Sequence, residues 1–367
     1  MALTNFTNLT TEQKTVWSRD LWMAARNASF TMRFTGRGPN SMIQRITELT
    51  KSEKGDRAVL TLVADLEGDG IVGDYTLENN EEAIKAYDEV ITIDQLRNAN
   101  RLAGRMADQK SVVNFRNTSR DVLAYWLADR IDQMSFLTLS GIAYTQTNNG
   151  AVRAVNPTGR NLSDLAFASD VSAPTTNRWR RFDDASGTYT LQAGDTSQVA
   201  AADTPTWEML VLAKAYMKDN YIRGIKGPGG QEYYHVFMSP QGLAKLKLDA
   251  TFLANLQNAG PRGSSNPLFS GSMITQDGLI IHEFRHVYTA TDWGGGSVAG
   301  QAVLFCGAQA MGMADIGLPY WDEETFDYGN QHGISIGKIF GLLKPKFNSI
   351  YSGTTEDFGV LRVDTAI

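Results

Sequence analysis

The sequence predicts a mixed α+β fold from three observations: one long amphipathic helix, an overlong two-stranded excursion, and a helix–strand–helix unit further along. The helix is expected over residues 117–141, the excursion over 57–96 and the compact α/β unit within 205–320. Apolar residues recur at helical spacing in the first and third segments and at period two in the second.

The predicted helix is the element around which the chain is organised. Thr118 can cap its first turn, with Asp121 three residues on, and Gly141 is a plausible stop. At about 1.5 Å per residue it would be roughly 35 Å long, so we expect a strut on which other elements pack. Its apolar face carries Leu123, Leu127, Ile131 and Met134, and its polar cover consists of Arg120, Asp129, Arg130, Asp132 and Gln133.

Residues 1–34 are predicted to form an N-terminal arm, with a helix that starts at Thr10 or Thr11. Trp17 and Trp22 lie at helical spacing with other apolar residues of this segment. Two tryptophans on a terminal segment need a surface to pack on, which is either the body of this chain or a neighbouring subunit.

The excursion over 57–96 begins with a period-two strand from Ala58 to Leu66, and a second β-rich run follows from Val90 to Leu96. The connection between them is acidic, contains glycine and is too long for a tight turn. Connections of this length in compact proteins are usually functional or disordered.

This connection contains two short motif matches. Gly68 to Gly73 is a literal GxGxxG, but the dinucleotide fingerprint requires a helix to open there, and the neighbouring acids would repel a phosphate. Asp65, Glu67 and Asp69 resemble the first half of a calcium loop, yet its twelfth position is Thr76 instead of a glutamate. Loop glycines and a solvated acidic loop are the preferred interpretations.

The remaining segments are predicted in less detail. Residues 143–204 shift to small and polar residues with a basic patch at Arg178–Arg181, and an insertion or surface loops are expected there. Thr204 and Pro205 should open a helix that runs to about Arg223, followed by a strand at 233–238 and a helix capped by Ser239. The last third alternates strands with glycine turns, ending in a strand at 360–363.

Composition excludes several classes of protein. The 367 residues are 42% hydrophobic and 20% charged, which is typical of a globular protein. The net charge of −6 argues against a protein held to nucleic acid mainly by phosphate contacts. No apolar run approaches the roughly 20 residues that span a bilayer, so we expect no membrane partner. The single cysteine, Cys306, excludes an intrachain disulfide and follows apolar residues, so a small core residue is expected.

His282-Glu283-Phe284-Arg285-His286 is a literal HExxH, which binds zinc when a helix presents both histidines on one face. Here the flanking residues are β-rich. Residues four apart in a strand lie about 13 Å apart, too far to share one zinc ion. The next acids are Asp292 and Asp315, and no third ligand follows nearby. A zinc metallopeptidase acting through His282, Glu283 and His286 stays only as an alternative, and we expect no metal, no cofactor and no catalytic residue.

Several stretches together resemble a known family. They are Gly68 to Asp74 with Leu77 to Ala83, then Ile91 to Arg97, Asn266 to Phe269, Ile281 to Glu283, and Phe326 to Gln331 with Lys344 to Phe347 behind it. In these stretches the chain resembles the major capsid proteins of tailed bacteriophages, in particular the family similar to the coat protein of N4-like podoviruses. The resemblance covers about 33–142 and 205–367, and the segment at 143–204 departs from it.

The resemblance implies the Hong Kong 97-type capsid fold, and its parts map onto the predicted segments. Residues 1–34 would be the N-terminal arm and 57–96 the extended hairpin loop. Residues 35–56 and 97–142 would form the peripheral domain with the spine helix at 117–141, and 205–320 the axial domain, before 321–367 return to the peripheral domain.

The implied function is self-assembly into hexamers and pentamers of an icosahedral shell that encloses phage double-stranded DNA, held non-specifically. Scaffolding, portal and decoration proteins are the implied further partners, and the implied location is the virion, after assembly in the bacterial host cytoplasm. The cellular alternative is an encapsulin-like compartment. The residues expected at contacts between subunits are Trp17, Trp22, Arg33, Arg37, Glu67, Asp69, Asp74, Glu81 and Glu82.

Overall fold

The computed structural model describes residues 20–25, 28–47, 55, 57–63, 69–82, 86–110, 115–156, 159–185, 187–227, 229–259, 274–349 and 352–367. Among them the chain forms a five-stranded sheet, a nine-stranded sheet and two separate strand pairs, with helices packed on the sheets. The mixed α+β class is confirmed.

The five-stranded sheet has the order β1-β2-β14-β15-β5. Most of it is the long antiparallel hairpin of β14 and β15, which runs out to a turn at residues 327–330. The bounds are Thr35–Gly36 (β1), Ile43–Ile46 (β2), Asp94–Arg101 (β5), Met311–Phe326 (β14) and Gln331–Leu343 (β15).

The nine-stranded sheet has the order β10-β11-β9-β13-β18-β6-β7, with β12 paired to β13 and β8 to β9. Its strands are Trp179–Ala185 (β6), Thr188–Ala193 (β7), Ile225–Lys226 (β8), Glu232–Met238 (β9), Ile274–Gln276 (β10), Leu279–Glu283 (β11), Thr289–Asp292 (β12), Val298–Cys306 (β13) and Val360–Ala366 (β18). Cys306 is fully buried on β13, so the prediction of a core cysteine is confirmed.

The remaining elements are two strand pairs and the helices. The pairs are Arg57–Val63 (β3) with Ala86–Thr92 (β4), and Lys346–Asn348 (β16) with Thr355–Asp357 (β17). The helices are Arg105–Lys110 (α1), Phe115–Ser140 (α2), Trp207–Asp219 (α3), Pro240–Leu248 (α4) and Ala250–Ala259 (α5), with residues 20–25 also helical. Short 3₁₀ turns occupy Thr31–Phe34, Leu162–Asp164, Ala166–Asp170, Thr176–Arg178 and Thr196–Gln198, and Trp293–Gly296 is one helical turn.

Helix α2 is the predicted strut. It ends as expected, because Gly141 adopts a left-handed φ of +70°. The Gly141 N–H donates to the Thr138 carbonyl, and the Ile142 N–H donates to the Leu137 carbonyl. Its start was predicted wrongly. The helix is already formed at Phe115, so Thr118 lies within it and does not cap it. Residues 134–140 are buried on every side, between the two sheets.

The base of the excursion is a hairpin that packs on its own chain. In β3 and β4 the side chains of Leu60, Leu62 and Ile91 are almost fully buried, and they alternate with exposed residues, so the period-two prediction is confirmed. A Cβ at Gly312 would lie 2.9 Å from Ile91 Cδ1, and one at Gly341 would lie 2.2 Å from the Thr92 carbonyl oxygen. The hairpin therefore packs closely on the five-stranded sheet at Gly312 of β14 and Gly341 of β15, where no side chain intervenes.

The predicted helix–strand–helix unit is present, and the prediction was wrong about where its first helix starts. Ser239 caps α4 by accepting a hydrogen bond from Gly242 N–H at 3.1 Å, as expected. Helix α3 starts later than predicted, after Thr206 and not Thr204. Its first N–H, on Trp207, is satisfied by the Asp249 carboxylate at 3.1 Å, a residue 42 positions further along the chain.

The prediction of an insertion or surface loops over 143–204 is wrong for residues 179–193, which form β6 and β7. Strand β6 pairs in parallel with β18, inside the large sheet. The prediction of a basic patch at Arg178–Arg181 is also wrong, because Arg178 is fully buried and its guanidinium lies 2.7 Å from the Glu356 carboxylate. Trp179 donates its indole N–H to Asp364 at 2.6 Å.

Within the described ranges, three clusters of buried apolar residues form the core. The first surrounds α2, the second lies between the nine-stranded sheet and helices α3 to α5, and the third lies under the β3–β4 hairpin. None of the helices in the described part of the chain combines the length and the apolar character needed to cross a membrane.

Candidate assembly surfaces

The tip of the excursion, residues 69–82, is exposed at every position. Its large apolar side chains are exposed too: 37% for Ile71, 78% for Val72, 81% for Tyr75 and 60% for Leu77. A group of exposed large apolar side chains on one segment indicates a surface for a partner. Of the acidic residues predicted at contacts, Asp69, Asp74, Glu81 and Glu82 lie on this exposed tip, and Glu67 lies outside the described residues.

The conformation of the tip agrees with loop glycines. Gly70 and Gly73 have left-handed φ angles of +74° and +69°, and no helix opens in residues 71–82, so the dinucleotide interpretation has no structural support. A turn further on is closed by the Asn80 N–H, which donates to the Leu77 carbonyl at 2.9 Å. Across the described ranges no group of three or more His, Cys, Asp or Glu side chains is arranged to hold a metal ion.

The N-terminal segment is fastened to the strut helix by one buried carboxylate. Asp132 accepts hydrogen bonds from the Ser29 hydroxyl at 2.7 Å, from the N–H groups of Phe30 and Thr31 at 2.9 and 3.0 Å, and from the Thr31 hydroxyl. Its assignment to the polar cover of the helix was wrong, since the residue is only 3% exposed. Sequence reasoning missed this anchor because an aspartate on a helix is usually solvated.

Trp22 packs on the body of its own chain. It is 5% exposed, and the ammonium of the fully buried Lys338 lies 3.8 Å from its ring centroid. Lys338 also donates to the Asp315 carboxylate and to the Gly317 carbonyl. Of the two surfaces left open by the sequence, Trp22 therefore uses the body of this chain, and little of its ring is left for a neighbouring subunit. Trp17 lies outside the described residues.

Arg33 and Arg37 are exposed, as residues at a contact between subunits must be before assembly. Arg33 belongs to the 3₁₀ turn Thr31–Phe34, directly after the segment that Asp132 holds. The backbone that carries Arg33 is therefore fixed, although its guanidinium reaches solvent.

The HExxH residues do not converge. His282 lies on β11 and shares a 2.9 Å hydrogen bond with His235 of the parallel strand β9, between Nε2 of His282 and Nδ1 of His235. His286 lies beyond the strand, where its Nε2 is 2.8 Å from the Asp129 carboxylate on α2. The two histidines thus have different partners on different elements, and the zinc alternative is not supported.

Burial and hydrogen bonding shift the pKa values of the titratable groups around the HExxH stretch. Burial lowers the pKa of both His235 and His282 to about 4, with a smaller contribution from the mutual repulsion of the two rings at His282. The hydrogen bond from His286 holds the pKa of Asp129 below its usual value. Burial also raises the pKa of the Cys306 thiol, so this cysteine is not an activated nucleophile.

The described residues form two sheets packed around a strut helix and a strand pair whose connection includes the exposed stretch 69–82. Exposed apolar side chains of this kind are typical of a structural protein that works by contact with other protein surfaces. This arrangement is the Hong Kong 97-type capsid fold. The capsid of Ralstonia phage GP4 has a TM-score of 0.72 and 28% identity, over 92% of this chain and 90% of that one. The cyanophage Pam1 capsid has a TM-score of 0.70 at 19% identity, over 99% of both chains.

Sequence comparison identifies the family. The model of the phage capsid protein family matches residues 5–367, and the major capsid protein of Pseudomonas phage KPP25 is 56% identical over 99% of this chain and 97% of that protein. This chain belongs to the phage capsid protein family, and it is a structural component of a phage capsid. The encapsulin-like alternative is thereby set aside, because both matches are to phage capsid proteins.

Proposed function

We propose that this protein is the major coat protein of a virion and assembles with itself, through hexamers and pentamers, into an icosahedral shell that encloses double-stranded DNA. The observation that carries the proposal is the exposed apolar tip at residues 69–82, in a chain of this family. The activity is assembly, and no catalytic step is assigned to any residue.

The proposed parts of the subunit follow the predicted segments. Residues 1–34 act as the arm, and the 57–96 hairpin extends towards a neighbouring subunit. Helix α2, predicted at 117–141, serves as the spine of a peripheral domain. This domain is built from residues 35–56, 97–142 and 321–367. Residues 205–320, with most of the nine-stranded sheet, form the axial domain at the centre of a capsomer.

The energy of one excursion contact is small. Burial of Val72, Tyr75 and Leu77 would remove about 300 Å² of apolar surface from water, worth about 7 kcal/mol at 25 cal/mol per Å². Association itself costs from about 4 to more than 15 kcal/mol. A single contact is therefore marginal. A closed ring of n subunits, in which every subunit both gives and receives one, makes n contacts for n − 1 associations, so the closing contact forms without a further cost of association.

The test is the appearance of purified protein in negative-stain electron microscopy. The double variant Val72→Ser with Tyr75→Ser should stay soluble and fail to form shells. Val152→Ser with Val155→Ser is the matched control, because these valines are 83% and 75% exposed on a different loop. Normal shells from the first variant would overturn the contact assignment.

Two deletions test the larger segments. Removal of residues 1–32, or of 67–87, should leave soluble protein that does not assemble. A wild-type preparation that stayed monomeric under every ionic condition would remove the proposal as a whole.

The same proposal places the protein in the virion after assembly in the cytoplasm of a bacterial host. Scaffolding, portal and decoration proteins are the expected further partners. The net charge of −6 supports a wall that encloses DNA without binding it tightly. Nuclease treatment of shells purified from infected cells, before and after disruption, would show whether double-stranded DNA is protected inside.

A further inference from the structure

A cavity of 510 Å³ lies between the N-terminal segment and the edge of the nine-stranded sheet. Its apolar lining consists of the side chains of Phe30, Phe34, Met42 and Ile225. His235 and His282 line it on the side of the sheet. The ring of Phe34 packs edge-on against both histidines, with centroids 4.9 and 5.0 Å away. The cavity is thus an aromatic pocket with polar groups on one side.

The charged residue in the lining of this cavity is basic. Among the described residues the lining includes the guanidinium-bearing Arg33 and no carboxylate, and the nearby Asp132 is buried behind Phe30, whose N–H donates to it. Arg37 is exposed four residues further on, and Lys226, whose backbone is bonded to Asn40 of the lining, is exposed as well. The two histidines are neutral near pH 7, since burial keeps their pKa at about 4. An apolar group flanked by carboxylates would match this site in shape and in charge.

The tip of the excursion has the complementary composition. Residues 69–82 carry five carboxylates and no lysine or arginine, and they expose four large apolar side chains between the acids. The tip does not occupy the cavity of its own chain, because all of its residues are exposed. Twenty-two residues separate β3 from β4, and a chain of eleven residues, half of that number, can span at most about 40 Å, so the length of this connection allows contact with a neighbouring molecule.

We propose that the cavity receives the excursion tip of a second copy, with an apolar side chain such as Tyr75 packed against the rings of Phe30 and Phe34 and its flanking carboxylates placed against Arg33 and Arg37. This inference deepens the proposed self-assembly and rests on it. It names the surface on which the tip of one subunit lands. Charge steers the encounter and sets its register, while the aromatic pocket supplies most of the affinity.

Disulfide trapping tests the contact directly. Cys306 is fully buried, so introduced cysteines report without interference. Thr76→Cys, next to the Tyr75 anchor and exposed, is combined with Gly38→Cys, because Gly38 is exposed beside Arg37 and a side chain there meets nothing within 4 Å. Mild oxidation of the assembled shells should give a ladder of linked subunits in a denaturing gel without reductant. The control pair, Thr76→Cys with Lys247→Cys on the exposed side of α4, should give several-fold less.

A charge exchange provides the second measurement, which stands even if the cysteine variants assemble poorly. Asp74→Lys with Glu78→Lys should prevent assembly, as should Arg33→Glu with Arg37→Glu. The four changes combined should restore shells. Rescue of the lysine variant by Lys245→Glu with Lys247→Glu instead would overturn the assignment, and so would wild-type-like shells in which the Thr76–Gly38 cysteine pair never links. Failure of the wild-type chain to assemble would instead refute the proposed function itself.

Discussion

Removal of the Asp132 carboxylate is the sharpest test of how the N-terminal segment is held. In Asp132→Ala the N–H groups of Phe30 and Thr31 lose their acceptor, whereas the hydroxyls of Ser29 and Thr31 can turn to each other, 3.4 Å apart. A buried donor left without a partner costs about 1–3 kcal/mol. We therefore expect the free energy of unfolding to fall by roughly 2–6 kcal/mol, and by about half of that in Asp132→Asn, which keeps one acceptor oxygen.

Urea unfolding of the unassembled protein measures this loss, and limited trypsin digestion locates it. Cleavage after Arg33 and Arg37 should accelerate in Asp132→Ala, because the segment that carries them is released from α2. Asp121→Ala is the matched control on the same helix. Its carboxylate is exposed and pairs with the adjacent Arg120, so a change below about 0.5 kcal/mol is expected. An Asp132→Ala protein as stable as this control would refute the anchoring argument.

Three further outcomes are expected. His235 and His282 have pKa values lowered from 6.5 to about 4, so the unfolded chain binds more protons between these values and stability should fall as pH drops through this window. Replacing both with Gln should flatten that part of the curve measured by urea unfolding. Gly141→Ala should lower the thermal midpoint, since φ is +70° and its Cβ would lie 2.6 Å from a carbonyl oxygen, whereas Gly38→Ala should not. Cys306 should react with a thiol reagent only after unfolding, as monitored by mass spectrometry.

The elements that could be predicted from the sequence are those whose signal is local. The period-two run at β3, the helical spacing along α2 and the serine cap of α4 each depend on neighbours within a few residues, and the structure has all three. The β-rich residues before His282 likewise predicted a strand, and the structure has β11 there, although this strand ends at Glu283 and His286 lies in the turn beyond it.

The errors share a different cause, which is pairing over long distances in the chain. Arg178 looked like part of a solvated patch because its partner, Glu356, is 178 residues away. Helix α3 begins at Trp207, whose N–H donates to the distant Asp249 carboxylate. The Asp132 carboxylate is buried because residues 29–31 donate hydrogen bonds to it. A buried charge is stable only with such partners, and local periodicity contains no information about them.

The position of the strand at Val360–Ala366 has a consequence for the order of events in the cell. It lies in the interior of its sheet, between β13 and β6, yet it follows every other strand of that sheet along the chain. The part of the sheet that contains β13 and the part formed by β6 and β7 are therefore joined only once Val360–Ala366 has been synthesised. A chain terminated before residue 360 lacks the strand that joins these two parts of the sheet.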